Sequence, residues 1–257
     1  TGRTDEIGEL SAALIRMTEA LYKRVEAIES FASDVAHEIK NPLTSLRSAV
    51  DTMIHAKTPE QRQRLLDVIK ADVGRMDRLV TDISNASRLD AELVRERMAP
   101  FDLAAQIGML SGVTETQGDA RGVTVETRLP GGALVVQGLE SRIAQVVANL
   151  LDNALSFSPD GGRIRVEAAE GAEVVRVSVS DEGPGIPTDS LASIFERFYT
   201  ERPGAESFGS HSGLGLSISR QIVEAHGGRI WAENLRRPGD DPDAPPRGAR
   251  FSFDLPR

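Results

Sequence analysis

The sequence has 257 residues and is 40% hydrophobic, enough for a sizeable core in one or a few domains. Its formal net charge of −9 argues against a nonspecific nucleic-acid binder or a basic membrane-surface protein, and the lack of cysteine excludes disulfides and thiolate metal sites. No apolar run reaches the roughly 18 residues of a membrane span. No signal peptide is visible, and we expect the sequence to be part of a longer protein.

The first predicted element is an amphipathic helix that starts near residue 5. Its apolar side chains recur at spacings of three and four, a seam narrow enough for a coiled coil: Ile7, Leu10, Leu14, Met17, Leu21, Val25 and Ile28. The pattern continues to about His55, and Pro42 is expected to bend the helix locally.

A turn at "AKTPEQRQ" separates this helix from a second one, with Thr58 as the predicted N-cap and Pro59 at the first helical position. The apolar face of the second helix fades near residues 89–94. One hairpin cannot bury an apolar stripe on both of its helices. We therefore predict that residues 1–95 form a homodimer in which two antiparallel hairpins make a four-helix bundle.

The pattern changes at "MAPFDL", after which strand-like segments dominate. They are "VTVETRL", "ALVVQG", "RIRVEAAE", "VVRVSVSD", "GRIWAEN" and "ARFSFDL". Two helices are predicted between them, near residues 139–156 and 213–226. This mixture predicts an α+β domain with one sheet and helices on one face. Residues 236–248 are rich in Pro, Gly and Asp and are predicted to be a mobile loop.

Three segments of this second domain carry polar groups suited to a ligand. Asn149 and Asn153 lie four apart on one helix face, where amide oxygens suit a hard cation such as Mg²⁺, although surface or capping roles are the common alternative. Asp181 ends a strand and is followed by Gly183 and Gly185, which either let a ligand approach closely or form an ordinary turn.

The third segment, "SGLGLSIS", opens an apolar helix whose N-terminal amides could hold phosphate. It matches neither the Walker A nor the dinucleotide-binding pattern, and a plain glycine-rich turn is the alternative. Residues 194–212, just before it, combine aromatic residues with a Gly/Ser-rich stretch and are a predicted lid.

Taken in order, "HEIKNP", "NLLDNA", "DEGPGIP", "FERFY" and "GLGLSIS" resemble the H, N, G1, F and G2 boxes of sensor histidine kinases. The start "DEIGEL" is similar to the second helix of a HAMP signal-relay module. Within the family, "VAHEIKNPLTSLRSAV", "SRLDAEL" and "NALSFSP" look most like ChvG/ExoS-type envelope-stress kinases.

The resemblance implies three domains. Residues 1–27 would be the end of a HAMP-like helix and a coiled-coil linker, 28–95 the dimerisation and phosphotransfer hairpin, and 96–257 a two-layer α/β sandwich of the Bergerat (GHKL) ATP-binding type. It implies the cytoplasmic portion of a bacterial inner-membrane sensor, reaching the membrane only through upstream segments. A response-regulator receiver domain would be the partner protein.

The resemblance also implies residue roles. His37 would be the phosphoacceptor, Glu38 would act as general base or orient the imidazole, and Asn41 would serve the reverse phosphatase reaction. The ATP-binding residues would be Asn149 and Asn153 as Mg²⁺ ligands, Asp181 at the adenine amine, Gly183 and Gly185 around it, and Gly213, Leu214 and Gly215 on the phosphate side.

Two positions depart from the family pattern, because Ser156 and Thr200 stand where many relatives carry a basic residue. Arg202 and His211 are the candidates to replace those phosphate contacts. The remaining histidines, His55 at a helix end and His226 before a glycine pair, have structural or surface interpretations.

Three functions remain to be distinguished. The first is an autokinase that phosphorylates His37 and then a response-regulator aspartate. The second is a catalytically weak dimeric scaffold or a phosphatase-biased sensor module. The third is an ATP-driven clamp of the gyrase/Hsp90 type, against which the hairpin argues.

Overall fold

The computed structural model describes residues 6–199, 213–236 and 245–257. The chain divides into two compact units, residues 1–76 and 77–257. The first contains helix α1 (Glu6–Met53) and the start of helix α2 (Pro59–Arg95), and α2 ends in the second unit. Within the described parts of the chain, no helix combines the length and the apolar character needed to cross a bilayer.

The predicted hairpin is confirmed, with a turn between Met53 and Pro59. Thr58 caps α2 as predicted, since its hydroxyl accepts a hydrogen bond from the Gln61 N–H at 3.2 Å, while Gln61 Oε1 accepts one from the Lys57 N–H at 2.9 Å. Helix α1 is continuous through Pro42. Apolar side chains along α1 remain exposed, among them Leu14 at 63% and Leu21 at 61%. An uncovered apolar stripe of this length is typical of an association surface.

The second unit is a helix layer packed on a mixed sheet, as the two-layer sandwich prediction requires. The five strands of its sheet are β2 (Thr124–Arg128), β4 (Arg163–Glu170), β5 (Val174–Ser180), β6 (Arg229–Asn234) and β7 (Ala249–Pro256). They lie in the order β2-β4-β5-β7-β6, in which β2 is parallel to β4 and the other neighbours are antiparallel.

Helices α3 (Leu103–Gly118), α4 (Glu140–Phe157) and α5 (Gly215–Ala225) form the second layer, in which α4 contacts both of the others. The core lies between the layers and contains fully buried side chains from both: Ile143, Leu150, Leu151, Ile164, Ile222 and Phe253. Burying such residues supplies most of the driving force for folding.

Two features of this unit differ from the sequence prediction. The two predicted helices are present as α4 and α5, but α3, which precedes the segments in which they were predicted, was not predicted. Its sequence "LAAQIGMLSGVTETQG" contains three glycines and no clear polar stripe, so periodicity did not indicate it. The single sheet was also wrong, since β3 (Val135–Gly138) pairs with β1 (Ala99–Asp102) in a separate two-stranded sheet.

Candidate functional site

Asp181 lies directly after β5 and is 4% exposed. Its Oδ1 accepts hydrogen bonds from the backbone N–H groups of Gly183 at 2.8 Å and Ala249 at 3.3 Å. In the described parts of the chain no hydrogen bond is made to its other oxygen, Oδ2. Burial raises the pKa of the carboxyl, and the two backbone hydrogen bonds oppose that rise by favouring the carboxylate. The group is therefore a fixed acceptor with one oxygen left for a ligand.

The turn after Asp181 requires its glycines. A Cβ on Gly183 would lie 2.7 Å from the Phe157 carbonyl oxygen, and Gly185 has a φ of 78°. The Asn234 side chain clasps this turn, accepting from the Ile186 N–H at 2.7 Å and donating to the Ile186 carbonyl at 2.6 Å. The predicted glycines thus shape the turn beside Asp181.

Sequence reasoning missed two residues of this turn. One is Asn234, at the end of β6. The other is Gly248, on which a Cβ would collide with the Asp181 carbonyl oxygen. Each lies more than 45 residues from the turn that it supports (Ile186 to Asn234 is a separation of 48), so no local pattern identifies it.

Asn149 and Asn153 share one face of α4, as predicted, but their environments differ. Asn149 Nδ2 donates to the Gly215 carbonyl at 3.1 Å and to Ser219 Oγ at 3.2 Å, which ties α4 to α5 and leaves its Oδ1 for other partners. Asn153 is half-buried, and no hydrogen bond joins its side chain to the described residues. Between them, Asp152 is surface-exposed, yet partial desolvation of its carboxyl raises its pKa.

The start of α5 lies against Asn149. Leu214 precedes the helix without a side-chain cap, and the first turn contains no acidic residue. The unpaired amides of such a turn, together with the helix dipole, favour an anion. Gly213 has a φ of 74°, and its carbonyl accepts a hydrogen bond from the Phe198 N–H at 2.9 Å. Residues 198 and 213 are therefore joined across residues 200–212, where the candidates Arg202 and His211 lie outside the described residues.

These contacts bring together three segments that the sequence analysis had considered separately. Asn149 joins α4 to the start of α5, and Gly183 lies against the last residue of α4. The side chains of Asn149 and Asn153, the start of α5 and the Asp181 carboxyl group therefore lie on segments that contact one another in the second unit. Among the described residues, no cluster of three or more His, Asp or Glu side chains could hold a metal ion.

The hairpin carries the other candidates. His37 and Asn41 are exposed on α1, one helical turn apart. Glu38 is half-buried and forms an ion pair with Arg75 of α2, with Oε2 and the guanidinium nitrogen 3.0 Å apart. This pair could not be predicted from the sequence, because nothing local links residues 37 positions apart.

The other histidines have the expected structural or surface positions. His55 is exposed after the end of α1. His226 is 6% exposed and follows α5, where its Nδ1 lies 2.7 Å from the Ile222 carbonyl and its Nε2 accepts from the Leu139 N–H at 3.0 Å. The second bond fixes the neutral tautomer with the proton on Nδ1.

Comparisons with known proteins identify the family of both parts of the chain. Residues 27–92 match the His Kinase A (phospho-acceptor) domain, and residues 138–257 match the histidine kinase-, DNA gyrase B- and HSP90-like ATPase family. The sensor protein ChvG of Agrobacterium fabrum is 51% identical over all of this chain, which spans 44% of that relative's length. The adaptive-response sensory kinase SasA of Synechocystis is 30% identical over 99% of this chain and 67% of its own length.

A solved structure resembles this chain over most of its length. Histidine kinase ThkA, crystallised with the response regulator protein TrrA, has a TM-score of 0.71 and 28% identity, covering 91% of this chain and 63% of that one. The phospho-acceptor match precedes the ATPase match along the chain, and both families are those of histidine kinases. The chain belongs to the sensor histidine kinases and resembles the ChvG sensors in particular.

Proposed function

We propose that the chain is an ATP-dependent autokinase that phosphorylates His37 and then passes the phosphoryl group to an aspartate of a response regulator. One observation carries the proposal. An exposed histidine stands on a helical hairpin in the same chain as a pocket that presents a fixed acceptor, an uncapped helix end and amide oxygens. This combination distinguishes a kinase from the gyrase/Hsp90-type clamp, which shares only the pocket.

The pocket is suited to ATP at both ends of the nucleotide. Asp181 Oδ2 would accept a hydrogen bond from the exocyclic amine of adenine, because Oδ1 is already held by Gly183 and Ala249. Gly183 and Gly185 would keep the floor of the pocket free of side chains. Gly213, Leu214 and Gly215 would place the start of α5 at the phosphates, where the dipole favours negative charge.

The amide oxygens of Asn153 and Asn149 fit a Mg²⁺ ion. The Asn153 amide makes no hydrogen bond to the described residues, and Asn149 uses only its nitrogen. Oxygen donors of this kind, completed by phosphate and water, are what Mg²⁺ takes in nucleotide sites. The ion, when bound, would offset phosphate charge during transfer. Arg202 and His211 remain the proposed cations on the phosphate side.

The chemistry at His37 follows from its exposure. A neutral imidazole nitrogen attacks the γ-phosphorus, the bond to the bridging oxygen breaks, and ADP leaves. Glu38 takes the imidazole proton as general base or orients the ring. In the second step an aspartate carboxylate attacks the phosphorus, and His37 is the leaving group. Asn41, one turn away, would position water in the reverse phosphatase reaction.

The proposed partners follow from the surface of the hairpin and from the relatives. Exposed apolar residues along α1 would pack against a second copy of the chain, giving a four-helix bundle. ThkA was crystallised with a response regulator, which makes a receiver domain the proposed acceptor. The ChvG relatives are sensor proteins of which this chain spans less than half, and we propose that the chain is the cytoplasmic part of such a membrane sensor.

Labelling with γ-³²P-ATP and Mg²⁺ tests the proposal. We expect acid-labile, alkali-stable label on the wild type and none on His37→Ala. His55→Ala is the matched control, because His55 is also exposed on the hairpin side of the chain. Label that persists in His37→Ala would refute the assignment of His37. Nucleotide binding without any label in the wild type would favour the scaffold or phosphatase-biased alternative.

A further inference from the structure

Asp72 is a buried carboxyl group with one oxygen that has no hydrogen-bond partner among the described residues. It lies on α2 and is 3% exposed, and its Oδ2 has no hydrogen bond within the described parts of the chain. A buried carboxylate oxygen without a donor is costly and uncommon in native proteins. Because Oδ2 is already enclosed within the single chain, a donor from within the hairpin is the nearest candidate for its partner.

Arg75 is the cation placed to supply that partner. It follows Asp72 by three residues on α2, so both side chains lie on one helix face, one turn apart. Its guanidinium has five N–H donors, of which one is committed to Glu38 Oε2 at 3.0 Å. Both side chains of that pair are largely sheltered, with 19% of Arg75 and 17% of Glu38 exposed.

The opposite helix offers Asp72 little. The Glu38–Arg75 pair sets the antiparallel register, which places Asp72 at the level of Asn41 and Pro42. Pro42 is the buried residue of the two, and it has no N–H to donate. Asn41 is exposed, as is the nearby Lys40. Arg75 is therefore paired with one carboxylate, that of Glu38, and lies one helical turn from a second, that of Asp72.

We propose that Arg75 is a positioning residue that exchanges between Glu38 and Asp72. The inference rests on the proposed function of Glu38. In the arrangement seen here, Arg75 holds Glu38 in an ion pair, and the carboxylate is occupied. When Arg75 moves to Asp72, the Glu38 carboxylate is released toward the adjacent His37, where it takes the imidazole proton. In that second arrangement the Arg75 guanidinium donates to the Asp72 carboxyl group.

The exchange predicts that substitutions of Asp72 and of Arg75 have opposite effects on the rate of labelling. Asp72→Asn removes the second site, holds Arg75 on Glu38, and is expected to slow single-turnover labelling of His37 by about fivefold or more. Arg75→Gln releases Glu38 and is expected to label at least as fast as the wild type. Arg75→Lys keeps an exchangeable cation and is expected to restore a rate near that of the wild type.

The double variant Asp72→Asn/Arg75→Gln separates positioning from structure. If Asp72 acts only through Arg75, the double variant labels as fast as Arg75→Gln alone, whereas independent structural effects add. Arg64→Gln and Asp67→Asn are the matched controls, since both residues are exposed on the same helix. Both controls are expected to label at the rate of the wild type.

Each outcome decides the proposal. A slow Asp72→Asn whose rate is recovered in the double variant supports the exchange. An Asp72→Asn rate equal to that of the wild type, or two slow variants with additive effects, overturns it. If Arg75→Gln does not fold, Asp72→Asn decides alone, with ATP affinity and thermal unfolding measured beside it. Absence of label in the wild type would instead refute the autokinase, and so the two failures are distinguishable.

Discussion

The Leu139 N–H donates to His226 Nε2 at 3.0 Å, and this bond joins the end of α5 to the residue that precedes α4. Helix α5 is thus fixed to α4 at both of its ends, through His226 after its last residue and through the bond from Asn149 to Gly215 at its first. Gly138 packs against the same ring, since a Cβ there would lie 2.9 Å from His226 Cδ2. The relative position of α4 and α5 depends on a neutral imidazole.

His226→Ala is therefore expected to destabilise the protein. It leaves the buried Leu139 N–H without an acceptor, which costs roughly 1–3 kcal/mol, and it opens a cavity in addition. Urea unfolding measures the loss, with His55→Ala as the exposed control that is expected to change stability by less than about 0.5 kcal/mol. Equal stability of the two variants would contradict the structural role of His226.

The two asparagines of α4 are expected to separate function from stability. Asn153→Ala should abolish Mg²⁺-dependent labelling and leave the unfolding free energy within about 0.5 kcal/mol, because its side chain bonds to none of the described residues. Asn149→Ala removes two hydrogen bonds to α5 and should cost about 1–2 kcal/mol. The measurements are labelling and urea unfolding on both variants. A stable, fully active Asn153→Ala would contradict its role at the metal.

Asp181 should give the stability a distinct dependence on pH. Its pKa is raised in the folded state by burial, so the folded protein binds more protons than the unfolded chain between the ordinary value of 3.8 and the raised value. Stability contributed by this group is present below 3.8 and is lost as the pH rises through the folded pKa. Asp181→Asn should remove this contribution and bind ATP more weakly. Thermal unfolding of both proteins over a pH series that begins below 3.8 checks the sign.

Two glycine substitutions should have opposite effects. Gly183→Ala places a Cβ 2.7 Å from the Phe157 carbonyl oxygen and 2.8 Å from Asp181 Oδ1. It is expected to cost about 1–3 kcal/mol and to weaken nucleotide binding. Gly112→Ala, in α3, meets nothing within 4 Å and should stabilise the helix by about 0.5–1 kcal/mol without changing ATP affinity. Calorimetry of unfolding and of nucleotide binding measures both. A Gly183→Ala that binds ATP normally would show that the turn tolerates a side chain.

The parts of the structure that local signals determine could be predicted from the sequence. Thr58 and Pro59 marked the start of α2, and alternation marked β4, β5 and β7. Helix α3 was missed because its glycines hide its periodicity, although Asp102 at its N-cap, which accepts from the Ala104 N–H at 3.0 Å, is a signal that could have found it.

The candidate site was predicted as a set of positions, and its internal bonding was not. The sequence placed Asn149 and Asn153 on one helix face but could not show that the side-chain nitrogen of Asn149 donates a hydrogen bond to α5. It likewise placed Glu38 beside His37 without indicating Arg75. These partners are distant in sequence, and which residues the folded chain brings into contact depends on tertiary packing rather than on any local pattern.

The place of β7 in the sheet has a consequence for how the protein folds during synthesis. β7 lies between β5 and β6, yet it follows both of them in the sequence, so β5 keeps one open edge and β6 has no neighbour in the sheet until residues 249–256 have left the ribosome. The same strand carries the Ala249 N–H that holds Asp181. The earlier segments must wait with open edges, which are prone to wrong pairing. The hydrogen bonds that hold the Asp181 carboxyl are therefore completed only when β7 inserts.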